Sequence, residues 1–475
     1  MRTSTIGLIS LLVIGTALPA AAATKDVAHP FIVWTRDEAA AIRKRLDADP
    51  EAKKQLERMQ EIETGRPSHP TLFNLFRYLV LEDKAAGERE KAELLKFIGK
   101  MPEPMAEAFK KKMEGDVQWN KGMPSSGDRH MRDEQTLNTL RYDVLYDILS
   151  PEERKGVEDA MRTYIQFHVD GHKPWHPDFG YSRAKLLPNM HWPRTIGTHL
   201  MAAALKDEAL IKAMHESEGG WKWFFDVYIA DGQFYMEEFA KQYSNIGTML
   251  MYCEALERLG LSDYGYGYKG KGGATMARFL YSTIELGYPR VDIPGGMPHY
   301  PRVAMGDARG GPAGFPPYAF QHSVVTGYLR DGTGGNTFYS TANMNGPLPK
   351  LLAPLWYELA HKRWPDQGYG YFLAQMRKPG QAIYHPTLYF GLSPVDPKAV
   401  KAPPAKSYVA LERGFAMLRA EESPAYWESP APAVALQFGM YYVHYTHDCF
   451  SILGYYAHNR PIYYNRGISS GYAGN

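Results

Sequence analysis

The sequence predicts an α+β protein of several domains, in which an N-terminal α/α toroid is followed by an antiparallel β-sandwich. Two patterns carry this prediction. From residue 30 to about 290, apolar residues recur at helical spacing in repeated helical hairpins, with no strands between them. After residue 404 the apolar period becomes two, which is typical of strands. The length of 475 residues suits two or three domains.

The first 23 residues have the three parts of a secretory signal peptide. Arg2 supplies the positive charge, residues 6–17 form the apolar segment, and the alanines at 21–23 provide a cleavage site. The apolar run is too short for a membrane anchor, which is the alternative. We therefore predict a periplasmic or secreted protein that is not stably inserted in a membrane after cleavage.

Capping signals mark the starts of helices in the region from 24 to 378, which we assign to the toroid. Thr35 and Glu38 form a capping-box pattern ahead of an apolar run. Ser150 and Glu153 repeat the pattern, with a proline at the first helical position. Further helices are predicted at residues 72–81, 88–98, 133–148, 195–204, 210–214, 221–229, 239–259, 275–286 and 351–361.

The C-terminal part is predicted to be a sheet domain. Residues 289–345 are dense in Gly and Pro and are expected to form loops, and residues 379–404 are expected to form a linker. Strands are predicted at 408–411, 415–419, 434–438, 450–456 and 461–464. Because so few short strands rarely cover both faces of a sandwich, we expect residues 405–475 to be only its beginning and the chain to be truncated.

The charge balance and the aromatic content narrow the class of partner. The formal net charge is +2, so nothing favours nucleic acid or an anionic membrane. The 33 Tyr and 9 Trp residues offer flat apolar faces with a polar tip, which suit sugar rings, although a packed interior explains most of them equally well. The two cysteines, Cys253 and Cys449, leave a disulfide open.

Polar side chains cluster next to the ends of predicted helices. Asn189, His191 and Arg194 stand just before one helix, and Tyr243 stands at the start of another. His444 lies in the sheet region, where His447 competes for the same role. Loops on a rigid scaffold commonly carry catalytic residues, so these groups are candidates for one site. Taken singly, each has a structural explanation, such as a helix cap for Asn189.

Five motifs together carry a resemblance to a known family. They are Asn189-Met190-His191, Asp231-Gly232 with Glu238 and Tyr243, Gly306-Asp307, the strand Gly414–Arg419, and His444–Asp448 followed by Ser451-Ile452-Leu453 and Arg460-Pro461-Ile462. In their order and spacing the chain resembles the heparinase II/III-like and alginate-lyase superfamily of polysaccharide lyases. Members of that superfamily pair an α/α toroid with a β-sandwich.

The resemblance implies β-elimination on a uronic-acid glycan, an acidic polysaccharide or oligosaccharide. Tyr243 would protonate the departing O4 and is a candidate for the base that removes the C5 proton. His191 is a second candidate for that base. Asn189 and His191 would hold the substrate carboxylate, whose developing charge needs hydrogen-bond donors. His444 would be a further acid/base residue.

Other residues are assigned to substrate binding on the same basis. Arg194 and Lys241 are both candidates for lowering the pKa of the Tyr243 phenol, which is ordinarily near 10. Glu238, Tyr181 and Tyr235 are expected to line the cleft. The sequence does not distinguish mannuronate, guluronate, glucuronate and iduronate as the sugar.

No metal and no cofactor is predicted. Many relatives hold a structural zinc with a histidine two residues after the acid/base histidine, but Thr446 occupies that position here. Zinc usually takes three or four N, S or O ligands. His447 and Asp448 leave a zinc site in the sandwich open.

Two other functions remain open from the sequence. A glycoside hydrolase on an α/α toroid would need two carboxylates facing across a cleft, and Asp231, Glu237, Glu238 and Asp307 are available. A non-catalytic glycan-binding protein of the cell envelope would keep an aromatic cleft and tolerate loss of Tyr243.

Overall fold

The computed structural model describes most of the chain. The described residues are 26–64, 71–98, 125–172, 188–217, 219–236, 239–292, 298–299, 303, 352–375, 389–393, 395–439 and 450–464. Within them the predicted α+β class is confirmed, because helices dominate the N-terminal part and an antiparallel sheet forms the C-terminal part. The predicted signal peptide at residues 1–23 and most of the 289–345 loop lie outside these ranges.

The helices were largely predicted in their correct places. They are α1 (Arg36–Ala48), α2 (Pro50–Thr64), α3 (Thr71–Leu81), α4 (Lys84–Ile98), α5 (Ser125–Leu145), α6 (Pro151–His172), α7 (Pro188–Ala204), α8 (Glu208–Glu216), α9 (Phe239–Leu259), α10 (Met276–Glu285), α11 (Leu352–Arg363) and α12 (Tyr369–Gln375). The chain between α8 and α9 forms a single α-helical turn, Trp221–Trp223, and then a π-helical turn, Phe224–Tyr228. Helix α12 was not predicted.

Both predicted capping boxes are confirmed. The Thr35 side chain accepts the Glu38 N–H at 3.2 Å, and the Glu38 carboxylate accepts the Thr35 N–H at 2.9 Å. Ser150 and Glu153 exchange the same pair of bonds, at 3.2 and 2.7 Å. Each box satisfies two backbone N–H groups that have no partner within the helix.

Two features of the helical part differ from the prediction. Helix α7 begins at Pro188 and not at residue 195. The expectation that no strands interrupt the helices before residue 290 was also wrong, because a short hairpin does so, and a second short hairpin lies in the described part of the region predicted to form loops. Strand β1 (Ile229–Ala230) pairs with β2 (Phe234–Tyr235), and β3 (Val291–Asp292) pairs with β4 (Pro298–His299).

Helix α7 is the central helix among those described. It packs against α5, α6, α8 and α9, and residues 195–204 on it are all buried. Its buried His199 is satisfied on both ring nitrogens. Nε2 accepts the Trp221 N–H at 3.2 Å, so Nδ1 carries the proton and donates to the Thr195 carbonyl at 2.7 Å.

The C-terminal sheet is a five-stranded antiparallel meander. Its strands are β5 (Tyr408–Ala410), β6 (Phe415–Arg419), β7 (Ala433–Gln437), β8 (Ser451–Ala457) and β9 (Arg460–Tyr464), in that spatial order. Phe415, Met417 and Arg419 lie on one face of β6 and are buried. Leu418, on the other face, is exposed to solvent. Ala416 is buried as well, so only the stretch from Met417 through Leu418 to Arg419 shows the predicted period of two.

Helix α9 has no room for a larger residue at Gly247. A Cβ atom there would lie 2.0 Å from the indole of Trp356, which is itself buried on α11. We expect Gly247→Ala to destabilise the protein by about 1–3 kcal/mol through overpacking, despite the better helix propensity of Ala.

The matched control is Gly156→Ala on α6, where the nearest atoms to a Cβ belong to the Ile98 side chain, at 3.1 Å and beyond. Urea denaturation of both variants measures the difference. Equal stability of the two variants would contradict the tight α9–α11 contact.

Candidate functional site

Helices α7 and α9 run in the same general direction. Trp192, in the second turn of α7, donates its Nε1–H to the Sδ atom of Met249 at 3.2 Å. His199, two turns later, contacts Tyr252 with ring centroids 5.3 Å apart. The contacts advance together along both helices, whereas antiparallel helices would pair a later residue with an earlier one. The N-terminal turns of α7 and α9 therefore lie at the same end of the helical domain.

An aromatic cluster holds the first turns of α7 in place. The fully buried indole of Trp192 stacks on Phe224 at 4.0 Å between centroids. Phe224 belongs to the π-helical turn that precedes β1, and it also contacts Phe279 of α10 at 5.7 Å. Aromatic contacts of this kind add to the stabilisation from burial. The start of α7 is thus packed against the segment that leads to α9.

Buried polar side chains lie beside α7 on α5 and α6. Gln135 is 1% exposed and packs against Gly197, where a Cβ would lie 3.0 Å from its Oε1 atom. Its Nε2 lies 3.4 Å from Nε2 of the buried His168. Such groups are uncommon in an apolar core, since a buried polar group needs hydrogen bonds to offset its desolvation.

The β1–β2 hairpin sets the path into α9. Its turn is Asp231-Gly232, with φ of 50° and 73°, and the Gln233 N–H donates to the Ala230 carbonyl at 3.0 Å. These left-handed angles are those of a type I′ turn, for which Asp-Gly is favoured. Gly232 has a second reason to be glycine, because a Cβ would lie 2.4 Å from the Gly272 carbonyl.

The same turn docks the sheet domain on the helical domain. The Asp231 carboxylate accepts the backbone N–H groups of Glu412 at 3.2 Å and Arg413 at 2.8 Å. The Arg413 Nε donates to the Tyr235 carbonyl at 2.9 Å. Phe234 stacks on Tyr408 of β5 at 5.1 Å. The turn between β5 and β6 is therefore fixed against the hairpin that leads into α9.

The segment that contains His444 leaves the sheet at this same end. Strand β7 ends at Gln437 and β8 begins at Ser451, so both ends of the connection lie beside the β5–β6 turn. The Gly439 N–H donates to the Gly414 carbonyl at 3.0 Å. The two glycines approach so closely that a Cβ on Gly414 would lie 2.2 Å from the Gly439 Cα. His444 itself lies outside the described residues.

The predicted site residues divide into two groups. Asn189, His191 and Arg194 lie in the first two turns of α7, and Tyr243 lies in the second turn of α9. The structure describes the backbone at these positions and not the side chains. Tyr181 and Glu238 lie outside the described residues.

The prediction that Tyr235 lines a cleft does not agree with the structure. Its side chain is fully buried, with its ring 6.0 Å from Phe224 and 6.2 Å from Phe279. Tyr235 therefore packs the core beneath the hairpin.

Sequence reasoning missed the role of two arginines. Arg413 and Arg419 are both buried and donate to carbonyl oxygens of the helical domain. For Arg419 the sequence carried part of the signal. Its position in the strand, two residues after Met417, places it on the same face as the apolar residues that are buried. Which carbonyls it would reach depends on domain docking, and local sequence does not encode that.

The described residues form neither a metal-binding cluster nor a membrane-spanning helix. No group of three or more His, Cys, Asp or Glu side chains is arranged to hold a metal ion in the described part of the chain. None of the described helices is both long and apolar enough to cross a membrane. Cys253 is a buried free thiol whose pKa is raised by desolvation, and Cys449 lies outside the described residues.

No protein-family model matches the chain, and no curated protein matches it.

The docking through Asp231 gives a direct test. We expect Asp231→Ala to weaken the contact between the helical and sheet domains by about 1–2 kcal/mol, because it removes an acceptor from two backbone N–H groups and places Ala at a left-handed φ. Asp231→Asn keeps one acceptor oxygen and tolerates that φ, so it is expected to lose less.

Limited proteolysis between residues 400 and 420 reports the docking. Faster cleavage is expected for Asp231→Ala than for Asp231→Asn. Identical cleavage of the two variants and the unchanged protein would contradict this role of the carboxylate.

Proposed function

We propose that the protein is an exported polysaccharide lyase that cleaves a uronic-acid-containing glycan by β-elimination. One observation carries the proposal most directly. The N-terminal turns of α7 and α9, which bear Asn189, His191 and Tyr243, lie at one end of the helical domain. The sheet is docked on the hairpin that leads into α9, and the connection bearing His444 starts beside that docking point.

The start of α7 suits an anionic substrate group. The first N–H groups of a helix have no intrahelical acceptor, and the macrodipole adds partial positive charge at that end. Asn189 and His191 in this turn would bind the uronate carboxylate and stabilise the charge that develops on it when the C5 proton is removed. Arg194 is three residues after His191, so the two positions share a face of α7.

Tyr243 would carry out the proton transfers. A phenol ordinarily has a pKa near 10 and needs nearby positive charge to act as a base at neutral pH. In the proposal Arg194 supplies that charge, Tyr243 removes the C5 proton or protonates O4, and His444 provides the second acid/base group. Glu238 and Tyr181 are proposed to contact the sugar chain.

The finer architecture is part of the proposal. Helices α7 and α9 pack directly on each other, with α8 between them in the sequence. Parallel packing of this kind is the arrangement of successive inner helices in an α/α toroid. The sheet offers support for a sandwich, because its outer face is apolar across all five strands. In register, Val409, Ala416, Leu436 and Ile452 form one row, and Leu418, Val434, Tyr455 and Tyr463 form the next.

Five side chains of these rows are exposed, namely Val409, Leu418, Ile452, Tyr455 and Tyr463. A contiguous exposed apolar patch is typical of a surface that another element covers. We propose that a second sheet packs on it. Hydroxyl-radical footprinting of the intact protein tests this, with the buried neighbour Tyr456 as the internal control. We expect Tyr455 and Tyr463 to be modified as slowly as Tyr456. Modification of both at the rate of free tyrosine would contradict a covered face.

The lyase activity is tested on a panel of alginate, glucuronan, heparosan, hyaluronan and ulvan. Elimination produces an unsaturated uronate, which is followed by its near-ultraviolet absorbance. We expect at least one substrate to give this signal. New reducing ends without the absorbance would favour the glycoside hydrolase, and binding with neither signal would favour the non-catalytic protein.

Tyr243→Phe removes the proposed proton-transfer group while keeping the ring. We expect kcat to fall about 10²–10⁴-fold, the usual contribution of acid–base catalysis, while substrate binding is retained. The matched control is Tyr264→Phe, just beyond the other end of α9, which is expected to leave turnover unchanged. Near-normal elimination by the Tyr243 variant would overturn the assignment.

A further inference from the structure

A second joint between the helical and sheet domains lies at the C-terminal end of α10. Its carbonyl oxygens are capped by side chains from the sheet domain. Arg419 donates to the carbonyls of Glu285 and Gly287, the latter at 3.2 Å. Tyr408 donates to the Glu285 carbonyl at 3.2 Å, and Tyr426 donates to the Gly287 carbonyl at 3.0 Å. A cation suits this end of a helix, where the macrodipole is negative.

The chain continues across the joint immediately after these carbonyls. Tyr288 is fully buried and stacks on Tyr456 of β8 with ring centroids 3.9 Å apart. The Arg290 N–H donates to the Trp427 carbonyl at 2.9 Å. Because the Arg290 N–H is hydrogen-bonded only when the two parts are docked, the exchange rate of this amide reports whether they are docked.

The Glu285 carboxyl lies inside this joint. Its Oε2 atom is enclosed and has no hydrogen-bond partner among the described residues, and the same holds for Nε of Arg419. The titratable and charged groups that face it come from four elements. They are Arg278 and Tyr281 of α10, Tyr369 of α12, Tyr408 of β5 and Arg419 of β6.

We propose that Glu285 is a proton-operated latch between the two domains. When it is protonated, the Arg419 guanidinium stays on the α10 carbonyls and the sheet stays docked. When it loses the proton, the carboxylate competes with those carbonyls for the guanidinium, and it also adds an incompletely solvated charge to the joint. Docking is therefore weaker in the ionised state.

The pKa of Glu285 sets the pH range over which the docking free energy changes. Desolvation raises the pKa of Glu285 to about 7 from its ordinary value of 4.5, and the favourable charges of Arg419 and Arg278 offset only part of this. A carboxyl whose pKa is raised in the docked state favours docking at low pH. That contribution is lost as the pH rises from about 4.5 to about 7, after which it is constant.

Amide hydrogen exchange of the peptide that contains Arg290, corrected for the intrinsic pH dependence of exchange, measures the docking. Between pH 6 and 8.5 we expect about a tenfold fall in protection, because one pKa unit of difference corresponds to a tenfold change in the equilibrium. Glu285→Gln, which keeps the shape of the neutral acid, is expected to hold the protection high at both values of pH.

Glu422→Gln is the matched control. It removes a carboxylate of the sheet domain whose pKa is lowered by hydrogen bonds from Ser407, so Glu422 is already ionised throughout the tested range. This variant should keep the tenfold fall. A flat pH profile in the unchanged protein, or the same fall in Glu285→Gln, would overturn the latch. If Glu285→Gln did not fold, the unchanged protein would still have to show protection that falls as the pH approaches 7 and is constant above it.

This readout is independent of the proposed activity, because it follows an amide and not product formation. A protein without lyase activity can still show the latch, and an active lyase can lack it.

Discussion

The position of the β5–β6 turn beside the start of α9 depends on the Asp231 carboxylate and the two backbone N–H groups that it binds in that turn. This one contact joins a type I′ turn of the helical domain to a turn of the sheet. It sets where the sheet lies relative to the start of α9 and, through the Gly414–Gly439 contact, where the connection from β7 to β8 begins. The Asp-Gly pair was predicted to be part of a motif, and its immediate physical role is to dock the two domains.

The second constraint is the depth at which α7 lies. Because α7 is packed by helices around it, the position of its first turns is fixed relative to those helices. The Trp192–Phe224 stack also fixes these turns against the segment that leads to α9. Two helix starts at the same end of the domain concentrate free N–H groups and positive helix ends there. The acidic substrate of the proposal would meet this positive charge even though the formal net charge of the protein is only +2.

Local signals predicted much of the fold. The capping boxes at Thr35 and Ser150 are satisfied within four residues of chain, and the strands follow from a period of two. The start of α7 was missed because a proline usually stands in the first turn of a helix, which placed the predicted start after Pro193. The helix begins instead at Pro188 and includes Pro193 in its second turn. Tyr235 was misassigned for a different reason. Whether a tyrosine packs a core or lines a cleft is decided by tertiary contacts, here those with Phe224 and Phe279.

In the proposed function, the residues at the start of α7 and α9 perform an elimination and not a hydrolysis. The most direct measurement is mass spectrometry of the oligosaccharides that the protein releases in water enriched in heavy oxygen. Elimination breaks the C4–O4 bond without adding water, so the account predicts products that carry an unsaturated uronate and no solvent oxygen. Incorporation of one heavy oxygen atom at each new reducing end would contradict it.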